Sequence, residues 1–184
     1  MYDEMEIEGL KRQLPLCPLN DSLYIAGFIM FNDVELTKAA AKALLAKAPD
    51  FDIIVTAESK GIPLAYEMAR ESDTGYIVLR KGRKLYMKDI VQTEVDSITT
   101  DHIQTLCLDV ADAEKLKGRR VLVVDDVIST GESLRSMEVL LNQVGCEIVG
   151  RMAVLAEGDS AKRDDIVFLE KLPLFKPDGT VIDD

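Results

Sequence analysis

Alternating strands and helices, with the polar and glycine-bearing residues gathered just beyond the strands, predict an α/β fold built on a doubly wound, mainly parallel sheet. Three stretches carry that prediction. Val121–Val124 is a short unbroken apolar run that meets Asp125 and Asp126, as in a strand covered on both faces and ending at a polar edge. Phe51–Ala57 and Gly75–Leu79 read as two further strands, and the helical pattern between them implies a right-handed parallel crossover.

Taken in order, residues 1–31 mix a polar start with Pro15, Pro18 and an apolar stretch from Leu23 to Phe31, and read as irregular cover. Asn32 with Glu35 has capping-box form, and Leu36, Ala39, Ala40, Ala43 and Leu44 share a face, so a helix of about 14 residues should run to near Lys47. Pro63 sits in the first turn of the next helix, whose buried face is Leu64, Ala65, Met68 and Ala69. From Gly82 to about Thr105 no period is sustained, and a polar stretch this long inside a compact domain usually serves function. Gln104–Val110 suggests a strand and Lys115–Arg120 a charged turn. After the central strand, Leu134, Met137, Leu140, Leu141 and Val144 mark a helix that Gly145 ends. Ile148–Leu155 completes a second crossover, and Ile166–Leu169 and Val181–Ile182 read as small edge strands.

With 184 residues, 47% of them hydrophobic, the chain has material for one domain with a substantial core. A net charge of −11 argues against nucleic acid or an anionic membrane as the main partner. Cys17, Cys107 and Cys146 are odd in number and widely spaced, which indicates neither a disulfide framework nor a zinc site and points to a reducing cytoplasm. The start of the chain carries no basic-then-apolar leader, and no apolar run approaches a membrane span.

The chemistry concentrates after the central strand. Ser129, Thr130, Gly131 and Ser133 form a small, hydroxyl-rich turn that opens a helix, where unpaired backbone N–H groups and the positive end of the dipole converge; such a turn suits a phosphate. Asp125 and Asp126 would repel that phosphate, but they can accept hydrogen bonds from vicinal sugar hydroxyls and help hold Mg²⁺ through water. A phosphorylated sugar satisfies both halves. Four cations in five positions, Arg80, Lys81, Arg83 and Lys84, call for anionic company on so acidic a chain. His102, a lone loop histidine, carries little weight.

Val123-Val124-Asp125-Asp126-Val127-Ile128-Ser129-Thr130-Gly131 resembles the phosphoribosyl pyrophosphate (PRPP) signature of the type I phosphoribosyltransferases. The stretch from Ile54 through Glu58-Ser59-Lys60-Gly61 to Ala65 resembles the pyrophosphate loop of their purine enzymes. Val78–Leu85 resembles the basic strand end of adenine and archaeal-type hypoxanthine/guanine enzymes, and together these matches cover roughly residues 50–158.

The resemblance implies a core over about residues 32–158 and a small hood from about 1–31 and 159–184. It implies that Asp125, Asp126 and the turn Val127, Ile128, Ser129, Thr130, Gly131, Glu132 and Ser133 bind PRPP, with Glu132 directed away from the phosphate. Pyrophosphate would fall to Ser59, Lys60, Gly61 and either Lys81 or Lys84, with Glu58 ordering the loop or the metal shell. Arg80 would join this group or serve a dimer interface. Asp125, Asp126 and Lys84 are the implied catalytic residues and Mg²⁺ the implied cofactor. Phe28 or Phe31 would stack on a purine and Glu157 orient it, although both phenylalanines also read as plain core aromatics. Residues 82–104, with Glu94, are the expected lid.

The implied activity is transfer of the phosphoribosyl group of PRPP to a free purine in salvage, by a homodimer. Adenine is slightly favoured, with hypoxanthine/guanine close. Ser97-Ile98-Thr99-Thr100 departs from the tyrosine and glutamate usual in adenine enzymes. Xanthine, or a PRPP-sensing regulator without catalysis, stays open as an alternative.

Overall fold

The computed structural model describes residues 1–96 and 103–182. Ser97-Ile98-Thr99-Thr100, Asp101 and His102, part of the expected lid, lie outside the described residues. The amino-terminal segment is not irregular cover. It forms β1 (Tyr2–Ile7), β2 (Leu10–Pro18) and β3 (Tyr24–Ala26), with β1 and β2 joined by a tight turn at Glu8 and Gly9, φ +50° and +76°. Two positive φ values in succession are what a two-residue hairpin needs to match the strands' twist. Every second residue of β1, Met5 and Ile7, is buried.

Helix α1 (Val34–Leu45) starts one residue later than Asn32 predicts. Asn32 stands at φ +66°, whereas the Asp33 carboxylate accepts the Leu36 N–H at 3.1 Å and so satisfies one of the orphan donors of the first turn. Strand β4 (Ile53–Ala57), helix α2 (Ile62–Ser72) and β5 (Gly75–Leu79) follow as the sequence indicates. The stretch without sustained period contains an antiparallel pair, β6 (Ile90–Asp96) and β7 (Ile103–Asp109). The charged turn expected near Lys115 is helix α3 (Val110–Leu116), capped by the Asp109 carboxylate, with Lys117–Arg119 leading into the next strand.

Strand β8 (Arg120–Ile128), helix α4 (Glu132–Val144) and β9 (Glu147–Glu157) form the second crossover, and Gly145 ends α4 at φ +80°. A short 3₁₀ turn (Gly158–Lys162) leads to β10 (Val167–Leu172), β11 (Leu174–Phe175) and β12 (Val181–Ile182). Segment 159–184 therefore divides. β10 pairs parallel with β9 in the main sheet, and only β11 and β12 join the hood.

Two five-stranded sheets result. The main one, ordered β10-β9-β8-β4-β5, is parallel throughout; the hood is ordered β1-β2-β3-β11-β12. Successive side chains of a strand point to opposite faces. Accordingly Leu122 and Val124 of β8 pack with α1, α2 and the hood, while Val121 and Val123 pack with α4, α3 and β7. The chain winds outward from β4 to β5 in one direction and from β8 to β10 in the other. The strand order thus reverses between β4 and β8, and in open α/β sheets ligands bind beyond the carboxyl ends of strands at such a point.

Candidate active site

Four strand exits converge at that edge. After β8, Asp125 and Asp126 are followed by the turn into α4, where Gly131 takes φ +79°. The cavity there, about 160 Å³, is lined by Asp125 and by every residue from Val127 to Leu134. Asp126 is buried, and its N–H donates to the Asp125 carboxylate at 2.9 Å. Burial, and then the negative charge of Asp126, push the Asp125 carboxyl up from its ordinary value.

After β4, the cis peptide Glu58–Ser59 begins a loop that swings back onto these acids. Lys60 Nζ lies 3.2 Å from Asp126 Oδ2. Gly61 is packed so closely that a Cβ there would stand 2.5 Å from Thr56 Oγ1 and 2.9 Å from Asp125 Oδ1. Only glycine lets the loop approach the acid pair in this way.

After β5, the basic cluster is organised by one carboxylate. Glu58 Oε1 accepts the Lys81 N–H at 2.6 Å and faces Lys84 Nζ at 3.0 Å, while Arg80 Nε lies 3.5 Å from Oε2. Burial works to raise the Glu58 carboxyl, but the Lys81 N–H, Lys84 and Arg80 together hold it below its ordinary value. Arg83 turns away and donates to the carbonyls of Met87 and Lys88. Lys81 and Ser59 are exposed.

Beyond β9 lies a second cavity of about 400 Å³, lined by Ser129, Thr130, Glu132, Glu157, Gly158 and Asp159 on one side and by Leu19, Leu23, Ile25 and Leu174 of the hood on the other. It shares Ser129, Thr130 and Glu132 with the smaller cavity, so the two form one continuous site. Burial pushes the Glu157 carboxyl up, opposed by Lys60.

The structure therefore brings together Asp125, Asp126, the 127–133 turn, the 58–61 loop, Arg80, Lys84 and Glu157, but it does not bring the phenylalanines there. Phe28 is 4% exposed within the core. Phe31 lines a separate cavity of about 280 Å³ with Met30, Val34, Pro63 and Tyr66. The reason is geometric: β3 ends at Ala26, and the segment that follows leads to α1, where Met30, Phe31 and Val34 meet Pro63 and Tyr66 of α2. The apolar wall comes instead from Leu19, Leu23, Ile25 and Leu174, which no local pattern singles out. Glu94, on β6, is exposed.

Comparison with known proteins matches residues 32–176 to the phosphoribosyl transferase domain family. The adenine phosphoribosyltransferase of Acetivibrio thermocellus is 34% identical over 157 residues, covering 79% of this chain and 84% of that one. The hypoxanthine/guanine phosphoribosyltransferase of Methanococcus voltae is 32% identical over 155 residues, covering 84% and 79%. Among solved structures, an adenine phosphoribosyltransferase from Thermoanaerobacter pseudethanolicus superposes with TM-score 0.72 at 19% identity, over 86% of this chain and 95% of that one, a likeness of fold.

Proposed function

The chain belongs to the phosphoribosyl transferase domain family, and from that premise we propose that it transfers the phosphoribosyl group of PRPP to a free purine base, releasing pyrophosphate. One observation carries the reading: a phosphate-sized cradle of backbone and hydroxyl donors opens directly into a larger chamber walled by aliphatic side chains and a partly buried carboxyl. The first suits the 5′-phosphate, the second a flat heterocycle, and Asp125 and Asp126 stand at their shared edge, where a ribose would lie. Relatives named for adenine and for hypoxanthine/guanine support a purine as the acceptor.

In this reading, the turn 128–133 anchors the 5′-phosphate through N–H groups at the start of α4. Asp125 and Asp126 accept hydrogen bonds from the ribose hydroxyls and place negative charge near the anomeric carbon as it becomes cationic. Ser59, the Gly61 amide and Lys60 receive the departing pyrophosphate, and Lys60 must leave Asp126 to do so. Lys84 and Arg80 add positive potential, and Glu58 serves as their counter-charge and not as a ligand. The aliphatic wall beside the base limits the access of water to the reacting carbon.

Among the described residues no cluster of three or more metal-ligating side chains exists. Two acids beside a phosphate site nonetheless fit Mg²⁺, which keeps much of its water and binds one or two carboxylates together with substrate oxygens. Asp125 and Asp126 would hold it, and it would supply neutralisation of the leaving pyrophosphate.

The proposal extends to a cytoplasmic homodimer. The three cysteines are unpaired, and among the described residues no helix is long and apolar enough to cross a membrane. Tyr66 and Tyr76 meet edge to face at 6.1 Å, and Tyr76 lines a surface cavity with the exposed Tyr86, an apolar area suited to a second copy.

Turnover of the purified protein with PRPP, Mg²⁺ and each of adenine, hypoxanthine, guanine and xanthine tests the reading. One mononucleotide should form and be lost in the Asp125→Asn/Asp126→Asn variant. PRPP binding without turnover of any base would overturn it in favour of a sensor.

A further inference from the structure

Ser160, in the 3₁₀ turn after β9, lies outside the catalytic arrangement described above. It is 2% exposed, and its hydroxyl donates a short hydrogen bond to the backbone carbonyl of Ser129. A buried hydroxyl 31 positions away in the chain thus reaches one particular peptide of the phosphate cradle. We infer that Ser160 is a positioning residue that aims the cradle's N–H groups at the 5′-phosphate by fixing the Ser129–Thr130 peptide plane.

The argument is geometric. Among the described residues the cis peptide is Glu58–Ser59, so the Ser129–Thr130 peptide is trans. In a planar trans peptide the C=O and the following N–H point in opposite directions. Holding the Ser129 carbonyl outward, toward Ser160, therefore directs the Thr130 N–H inward, to the cavity that Ser129, Thr130 and Gly131 line. Without the Ser160 hydroxyl the carbonyl loses its buried partner, and rotating the peptide to recover one would carry the N–H off target.

The rest of the 158–163 segment is pressed against the same outer surface. A Cβ placed on Gly131 would stand 3.2 Å from Arg163 Nη1 and 3.8 Å from Ser160 Oγ. Arg163 is itself held by two bonds to Asp165, at 2.8 and 2.7 Å, and its N–H reaches the Ser160 carbonyl at 3.3 Å. Gly158 and Asp159, immediately before Ser160, line the larger chamber. One short turn therefore walls the chamber and braces the phosphate cradle from behind.

This inference rests on the reading of the cradle as a 5′-phosphate site, and the experiment separates the two. Calorimetric titration with ribose 5-phosphate, which needs no turnover, is run on the wild type, Ser160→Ala and Ser160→Cys, beside KM for PRPP, KM for the base, kcat and Tm. Loss of one aimed donor to a charged phosphate should weaken ribose 5-phosphate binding and raise KM for PRPP about tenfold in Ser160→Ala. Ser160→Cys, a weaker donor of similar shape, should fall between, and it carries the test if the alanine variant does not fold. KM for the base should change little, while Tm falls by a few degrees with the loss of the buried bond. Unchanged affinity for ribose 5-phosphate in a folded variant, or an equal rise in KM for the base, overturns the role of Ser160. Absence of ribose 5-phosphate binding in the wild type overturns the phosphate reading itself.

Discussion

Replacing Gly61 by alanine adds a single methyl at the tightest approach in the site. The backbone there, φ −74° and ψ −10°, is open to any residue, so no strain arises from conformation. On chain entropy alone Gly→Ala should stabilise the protein by about 0.4–1 kcal/mol. The added Cβ would, however, lie 2.5 Å from Thr56 Oγ1, well inside the 3.4 Å at which ordinary contact begins, and Thr56 is fully buried. Overpacking of this kind costs about 1–3 kcal/mol, so the net expectation is a loss of about 1–2 kcal/mol in urea unfolding. The second contact, 2.9 Å to Asp125 Oδ1, falls on the acid proposed to bind ribose, and kcat/KM for PRPP should drop more than tenfold. The double variant Gly61→Ala/Thr56→Ala separates the two effects. Among the described residues Thr56 Oγ1 makes a long 3.5 Å bond to the Ala57 carbonyl, so losing the hydroxyl costs little and relieves the first contact, while losing the buried methyl costs about 1 kcal/mol. Stability should return in part while activity stays low. If Gly61→Ala alone leaves stability within about 0.5 kcal/mol and kcat/KM within about twofold of wild type, the close approach of loop and acid pair is not what the site depends on.

Two further outcomes follow from the ion pairs. Glu58→Ala should release Arg80, Lys84 and the Lys81 N–H from their common acceptor and weaken product inhibition by pyrophosphate about tenfold, whereas Glu58→Gln, which keeps an acceptor for the N–H, should show a smaller change. Asp33 carries both a cap and a charge pair, with Arg12 Nε at 2.6 Å and Nη2 at 3.0 Å. The Arg12 guanidinium holds the Asp33 carboxyl below its ordinary value, so the pair contributes stability above the usual aspartate range and loses it as pH falls through the lowered value. Asp33→Asn keeps a capping side chain, and its deficit, about 1 kcal/mol in urea unfolding at pH 7, should shrink as pH falls below about 4. A deficit independent of pH would show that the charge pair with Arg12 contributes nothing measurable to stability.

The parts of the fold that were legible are those whose cause is local. Val121–Val124 is buried on both faces and so reads as an unbroken apolar run, and Gly145 supplies the positive φ that ends α4. The hood strands were obscured because Pro15 and Pro18 lie within β2, although the alternation of Met5 and Ile7 was a usable signal. Helix α3 is only seven residues long, too short for a period to establish itself. At the site, the acids and the turn 127–133 form one continuous stretch and were visible as such. The aliphatic wall was not, because Leu19, Leu23 and Ile25 meet Leu174 only through the pairing of β3 with β11. Aromatic residues near the hood drew attention instead, and packing assigns Phe28 to the core.

That same pairing sets an order of assembly. Tyr24 and Phe175 are register partners roughly 150 residues apart in the chain, a closure whose entropy must be met before the contact forms. β3 is made long before β11, so the sheet that the N-terminal hairpin begins stays open at β3 until the last strands are synthesised. Ser160, which holds the Ser129 carbonyl, also follows β9 in the chain. The 127–133 turn and the aliphatic wall beside it therefore both gain their final support only from the last segment to be made.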